Sequence, residues 1–409
     1  MFPVFVLLGI FVLIAVRQVG SLRVQIWQAM ALGAVLALLS GSISVSDALD
    51  SVNLDVMLFL FGMFVVGRSL EDSGYLSDLA YRLFRRAGSA DSLVLMVLFV
   101  MGFASAFLMN DTVAVVGTPV VLFLARRHGI NPKVLLLALA FAVTTGSVAS
   151  PIGNPQNLLI ALEGGVPSPF LSFARHLLAP TVINLLLAYV LLRMLFKGQF
   201  HGKKLSHREE PIKDRSLAAL SKVSLAIILS LTFLKVVLAV SGVNLDFRLT
   251  YIALAAALPI LLFSPMRLDV LRGVDWQTLL FFASMFILME SVWQDAFFQD
   301  AVGRSLGGLT SVAEVLSTSI VLSQFVSNVP LAALYLPALA KAGASAAVYI
   351  ALAAGSTIAG NITVLGAASN VIVIQNAERR GETLTFLEFA RAGIPLTIVN
   401  ALVYWLFLA

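Results

Sequence analysis

Apolar residues dominate this chain in runs of roughly 16 to 24, separated by short polar loops, and most runs are apolar on every side rather than along one stripe. Runs of that length cross a hydrocarbon core of about 30 Å as helices. The first half reads as spans at 3–20, 26–42 and 54–70, an apolar pair at 91–108 and 112–126, a segment from 133 interrupted near 150–156, and a long helix at 173–196. The second half reads as 218–241, 249–264 and 276–293, a pair at 311–326 and 331–343, a segment from 346 broken near 360–368, and a last helix at 386–408. Phe5–Val16 has no basic stretch before it and no small-residue cleavage pattern after it, so it reads as a retained helix rather than a signal peptide.

The two halves resemble each other. FLSFAR at Phe170–Arg175 recurs as FLEFAR at Phe386–Arg391, followed at matching distances by Thr181 or Thr397 and by Asn184 or Asn400. Leu58, Phe59, Met63 and Phe64 match Leu280, Phe281, Met285 and Phe286. Asn110 and Asn328 each precede a proline, Pro119 and Pro337, by the same interval. Gly153 and Asn157 match Gly366 and Asn370. Ordered blocks that include polar and proline positions indicate duplication. The expected organisation is repeat 1 over 1–196, a basic linker over 197–217, and repeat 2 over 218–409. Each repeat has five spans besides the apolar pair. Whether that pair enters and leaves on one side or crosses twice, the number of crossings is odd, and the second repeat is inverted.

Composition sharpens this picture. Hydrophobic residues make up 59% and charged residues 12%, far from a soluble domain. The absence of cysteine excludes disulfides, zinc–thiolate sites and thiol nucleophiles. The net charge of +5 comes from loops, which argues against a nucleic-acid surface. With the linker in the cytoplasm, 22 of the 27 Lys and Arg lie on that side, four on the other (Arg175, Arg248, Arg304, Lys341), and Lys235 lies within a span. The positive-inside rule then places both termini outside a bacterial inner membrane. Charge does not distinguish five crossings from seven. Three of the four arms of the apolar pairs span only about 13 to 16 residues, short of the roughly 20 that cross a bilayer, so re-entrant hairpins are expected.

Two kinds of interruption carry the candidate chemistry. Asn110-Asp111-Thr112 and Ser327-Asn328-Val329-Pro330 form the hairpin tips, and irregular backbone at membrane depth belongs in protein or along a wet cavity. Ser150-Pro151-Ile152-Gly153-Asn154-Pro155-Gln156-Asn157 and the segment from Gly360 to Asn370 are the broken helices, whose free carbonyls and amides suit ions. Asp111 is the one acidic residue placed deep in the first half, and it requires a cation, a proton or hydrogen-bond donors. Val329 holds the matching position, so the half-sites are chemically unequal. Asp275 and Asn53 read as helix caps, and residues 73–90 as an amphipathic interfacial helix. His128, His176, His201 and His207 read as solvated loop or interface residues. There is no HExxH or GxSxG, and no enzyme is expected.

These residues resemble the ion transporter superfamily, which includes ArsB-type arsenite permeases, NhaD-type sodium/proton antiporters and divalent-anion/sodium symporters. The carriers are NDT at the first tip, SPIGNPQN after it, SNVP at the second tip and G-N-x-T-x-x-G-x-x-x-N. The ArsB-like and YbiR-like branch matches best. The resemblance implies an all-α polytopic fold of two inverted repeats and an elevator-like motion of a transport domain against a scaffold, often in a homodimer. It also implies a substrate and ion site of Asn110, Asp111, Thr112, Gly153, Asn154, Asn157, Ser327, Asn328, Gly366, Ser369 and Asn370. Dicarboxylate symporters carry Ser-Asn-Thr at both tips, whereas these read Asn-Asp-Thr and Ser-Asn-Val. An acidic Asp111 disfavours a dianion, which leads to arsenite or antimonite export against protons as the expected activity. Sodium/proton antiport and sodium-coupled anion symport are the alternatives. No cofactor is implied beyond a proton or sodium ion. The expected partners are the bilayer and a small inorganic ion or metalloid.

Overall fold

The computed structural model describes residues 1–16, 18–19, 22–200, 205, 211–241, 248–305, 311–325 and 328–409. Among these, the first half contains α1 (Phe2–Val16), α2 (Ile26–Leu39), α3 (Val45–Ser51), α4 (Leu54–Asp72) and α5 (Tyr75–Phe84). It continues with α6 (Ala90–Leu108), α7 (Asn110–His128), α8 (Pro132–Ser147), α9 (Pro155–Glu163) and α10 (Pro169–Leu195). The second half contains α11 (Arg215–Val240), α12 (Leu249–Phe263), α13 (Arg267–Gly273), α14 (Trp276–Trp293) and α15 (Ala296–Ser305). It ends with α16 (Val312–Leu322), α17 (Asn328–Lys341), α18 (Ala346–Ile358), α19 (Ala368–Glu378) and α20 (Phe386–Leu408). The described sheet is one antiparallel pair of two-residue strands that pairs Gln18 with Arg23 and Val19 with Leu22. The molecule is an all-helical, multi-pass membrane protein.

Helix boundaries follow local chemistry. Pro132, Pro155 and Pro169 occupy first-turn positions, where a missing N–H costs nothing. Asn53 and Asp275 cap α4 and α14 through Val56 N and Thr278 N, both at 3.1 Å, as expected of both. Thr385 and Glu388 form a reciprocal capping box at the start of α20. The amphipathic stretch at 73–90 is α5, which buries Leu76, Ala80 and Phe84 and exposes Arg82. The first span ends at Val16, earlier than the expected 20. His176 lies inside α10, where its Nδ1 contacts Ser172 O, not in a loop.

One expectation about length is corrected. The arms α6 and α7 both have 19 residues, and α6 is among the five described helices long and apolar enough to cross a membrane. Helix continues to within one residue of the first tip, because only Met109 separates the arms. In the second half the arms are short, 11 residues in α16 and 14 in α17. Arm length therefore supports a re-entrant hairpin only in the second half.

Among the described residues α1–α10 correspond in order to α11–α20, and much of the packing obeys the same exchange. α4 packs on α12 as α14 packs on α2; α1 meets α14 as α11 meets α4. α6 packs on α8 as α16 on α18, and α7 meets α19 as α17 meets α9. α8 meets α18, and α10 meets α20, across the centre. Apart from α5 and α15, the α-helices fall into two groups. α1–α4 with α11–α14 form one, and α6–α10 with α16–α20 form the other, which holds both tips and both breaks.

Candidate functional site

The first tip turns on Met109, at φ 65° and ψ 145°, a backbone region that disfavours any side chain and costs on the order of 1–3 kcal/mol. Such strain persists only where surroundings enforce it. Here Asn110 N donates to Gly153 O at 3.0 Å, pinning the tip to the first break. Asn110 Oδ1 accepts from Asp111 N at 2.9 Å, and its Nδ2 reaches Ser369 Oγ at 3.5 Å on the other half. Asn110 and Thr112 are buried, and Asp111 is partly buried. The tip is thus packed inside protein rather than set out as a surface turn.

Each break is held by an asparagine that rises from the following helix. Asn157 Nδ2 donates to Ser147 O at 3.2 Å and Ser150 O at 3.1 Å, carbonyls that the end of α8 leaves without helical partners. Asn370 Nδ2 donates to Gly360 O at 2.5 Å and Thr363 O at 3.4 Å. In both halves these carbonyls lie ten and seven residues back. The remaining oxygen crosses the molecule. Thr357 on α18 donates to Asn157 Oδ1 at 3.2 Å, and Thr144 on α8 donates to Asn370 Oδ1 at 3.5 Å. The two breaks are therefore stapled to each other by a reciprocal Asn–Thr pair at the centre of the second group.

Asn154 caps α9 by accepting from Asn157 N at 2.9 Å, and its amide donates to Ser147 Oγ and Thr357 Oγ1, both at 3.1 Å. Gly153 has no room for a side chain, because an added Cβ would lie 2.1 Å from Ser147 O. Gly366 is nearly as confined, with Ala359 O at 2.9 Å from its added Cβ. At the second tip, Ser323 Oγ donates to Asn328 Oδ1 and also reaches Ser356 O at 3.4 Å. Ser327 lies outside the described residues.

The structure therefore brings Asn110, Gly153 and Ser369 into one contact, and Asn154, Asn157 and Asn370 into the staples. Among the described residues no hydrogen bond links Asn328 to Asp111 or Thr112; Asn328 joins the second break through Ser323 instead. Three residues that matter were not singled out from sequence. Gln324 bridges the second tip to the second break, donating to Ala359 O at 2.9 Å and accepting from Thr363 Oγ1 at 3.0 Å. Asn361 donates to Thr145 Oγ1 at 3.2 Å. Thr357 gathers Asn154, Gln156 and Asn157 around its hydroxyl. The polar letters of the second break were a usable signal for Asn361; Thr357 sits in a run that reads as ordinary helix.

The chemistry left over is acidic and neutral. Asp111 Oδ1 and Asn361 Oδ1 are buried with no hydrogen-bond partner. No Lys, Arg or His takes part in these tip and break contacts among the described residues. Such a site offers oxygen ligands to a cation or a proton.

Comparison with known proteins agrees with a carrier. The CitMHS family, described as citrate transporter, matches residues 10–350. A 46 kDa membrane protein of Mycobacterium leprae is 30% identical over 85% of this chain and 84% of its own length. An uncharacterized transporter of Mycobacterium bovis is 29% identical over 97% and 96%. The P protein of Sus scrofa is 25% identical over 97% of this chain and 58% of its own length. Among solved structures, the YdaH transporter of Alcanivorax borkumensis covers 100% of this chain and 96% of its own, with 16% identity and a TM-score of 0.46. The chain is a membrane transporter rather than an enzyme, and it belongs to the CitMHS citrate transporter family.

Proposed function

We propose that this chain is a cation-coupled secondary transporter in which Asp111 takes the coupling ion and a small anion moves with it. The observation that carries the reading is a buried Asp111 Oδ1 without a partner, at a strained tip, among neutral amides and hydroxyls. A carboxylate there repels a bare anion, so an anionic cargo enters with a cation that satisfies Asp111 and the cargo together. The family description supports a carboxylate cargo. A second reading follows from the tip and break contacts, in which no Lys, Arg or His takes part among the described residues: an uncharged cargo such as arsenous acid, exported against a proton. Sodium/proton exchange at Asp111 with no further cargo is the third.

In this proposal the halves are inverted repeats, the two pairs of arms are re-entrant hairpins, and the group bearing tips and breaks moves against the other as an elevator. The basic linker face is cytoplasmic, both termini are outside the inner membrane, and the assembly is a homodimer. The reciprocal packing of the halves supports the repeats, and the bias of Lys and Arg supports the orientation.

Thermal melting of the purified protein with citrate, magnesium, sodium, arsenite and antimonite across pH tests it, because a ligand for the folded state raises the melting temperature. A rise that needs citrate and a cation together, and vanishes in Asp111→Asn, is expected. A rise with arsenite alone replaces this reading with the second, and one with sodium alone replaces it with the third.

A further inference from the structure

We infer that the structure is the end state closed toward the basic linker face, and that in the opposite end state the open face of α17 packs on α14. The inference rests on the inverted-repeat reading above. Within each helix group the major contacts come in exchange-related pairs, but between the groups several do not. α4 packs on α7 and α14 packs on α19, whereas among the described residues the counterparts α14–α17 and α4–α9 do not pack to that extent. A two-fold that holds inside each body and fails between them means that the bodies have shifted relative to each other. The exchange-related arrangement is then the other end state.

Side-chain exposure shows the same asymmetry. Thr112, Val115, Pro119 and Leu122 share one face of α7 and are all buried. Their counterparts on α17, in the alignment set by Asn110 with Asn328 and Pro119 with Pro337, are Pro330, Ala333, Pro337 and Ala340. All four are exposed. What covers the α7 face includes α4, where Phe64 and Gly67 are buried; an added Gly67 Cβ would lie 3.4 Å from Val115 Cγ1. The matching α14 residues, Phe286 and Met289, are half-buried. The apolar cores divide likewise. α7 and α19 share one core with α4 and α14, while α17 and α9 belong to a separate one.

The closed side carries a lock that has no counterpart. Arg380, just beyond α19, grips both Glu71 carboxylate oxygens on α4, through Nη2 at 2.5 Å and Nε at 3.2 Å. The exchange-related positions are Pro167 and Trp293, which form no ion pair. The ion pair therefore favours the described state over its opposite.

The chain has no cysteine, so paired cysteines report cleanly. Gly67→Cys with Val115→Cys marks the described state; Met289→Cys with Ala333→Cys, or Phe286→Cys with Ala333→Cys, marks the opposite one. Copper–phenanthroline oxidation in native membranes, read as loss of maleimide–PEG labelling in the monomer band, scores each pair against its single-cysteine controls. The first pair is expected to close rapidly. At least one of the other two is expected to close more slowly, and several-fold faster once Arg380→Gln is added. If the first pair closes while both others label like their controls, with and without Arg380→Gln, the inference is overturned. The assay needs no cargo, so a wrong assignment of substrate leaves these results unchanged and fails in the melting experiment instead.

Discussion

Replacing Asn157 with alanine separates an asparagine that holds the break from one that holds the cargo. Asn157 is fully buried, its amide donates to the carbonyls of Ser147 and Ser150, and its oxygen accepts from Thr357. Alanine removes all of these and leaves two carbonyls and a hydroxyl without that partner in a water-poor interior. Each buried group stranded in this way costs about 1–3 kcal/mol. Ser150 O also accepts from Gly153 N at 3.1 Å and Ser147 O from Ser150 N at 3.4 Å, so both of these losses are partial. The total comes to roughly 2–5 kcal/mol. Smaller domains lose about 2–4 °C per kcal/mol and larger ones less, so the ligand-free melting temperature is expected to fall by roughly 5 °C. Asn370→Ala breaks the related set of bonds and is expected to match it. Thr357→Val on its own is expected to cost less. Added to Asn157→Ala it is expected to cost less than it does alone, because the shared bond is already gone and only the Asn154 and Gln156 amides lose a further acceptor. Melting of ligand-free protein in detergent, followed by tryptophan fluorescence, measures these values. If Asn157→Ala melts within a degree of wild type but loses its shift with cargo, the asparagine is a ligand and the staple reading is wrong.

Three more predictions rest on the same geometry. Arg380→Gln removes a part-buried, two-pronged ion pair worth about 1–2 kcal/mol after allowance for its exposure, so the opposite state gains roughly 5- to 30-fold in population; an unchanged dependence of flux on which side the cargo is presented, in oriented vesicles, counts against it. Gly393→Ala drives a methyl group into Asn361 O, which lies 1.7 Å from an added Cβ, so α20 must part from the second break and the yield of folded protein is expected to collapse on size-exclusion chromatography. Asp111→Asn keeps the shape of the first tip and removes its charge, so flux is expected to fall at least about tenfold and lose its response to a pH or sodium gradient across vesicles; gradient-driven flux that persists in this variant assigns the coupling to another group.

Much of the architecture was legible because membrane helices announce themselves by composition. The spans at 54–70, 276–293 and 386–408 fall almost residue for residue on α4, α14 and α20, since loop polarity, caps and prolines mark their ends. The arms of the first pair were harder. A polar triplet at 110–112 reads as a broken run, yet helix resumes at Asn110 because one strained residue, Met109, makes the whole turn. At the breaks, sequence showed which residues interrupt the helix but not what their side chains do. Asn157 and Asn370 read as ligands in sequence, and in the structure their amides donate to carbonyls released by the interruption. Thr144 and Thr357 were invisible in sequence because a threonine within a helical run declares nothing about the other half of the molecule. Gln324 carries no signal in sequence, because its role depends on a break that follows it 35 residues later.

The duplicated and unduplicated residues sort by the kind of work they do. What appears twice is mechanical: the Asn–Thr staples, the glycines at the breaks, and the prolines inside α7 and α17. A two-fold set of staples holds both breaks at fixed positions in one body, which a carrier needs if the site is to reach either side unaltered. What appears once is chemical or directional. Asp111 faces Val329 in the alignment of the halves, Gln324 faces Ala106, Asn361 faces Val148, and the Glu71–Arg380 pair faces Trp293 and Pro167. A fully symmetric carrier would bind its cargo in two equal ways and would favour neither end state. In the proposed carrier, one carboxylate at one tip would give the site a single ion to couple, and one ion pair on one face would set which state it rests in. If the two tips share one site as proposed, a second carboxylate at Val329 would add a like charge to be neutralised at every turnover. On the proposed reading, departures from symmetry in this chain are where its specificity would reside, and the symmetric parts would keep that specificity in place as the protein moves.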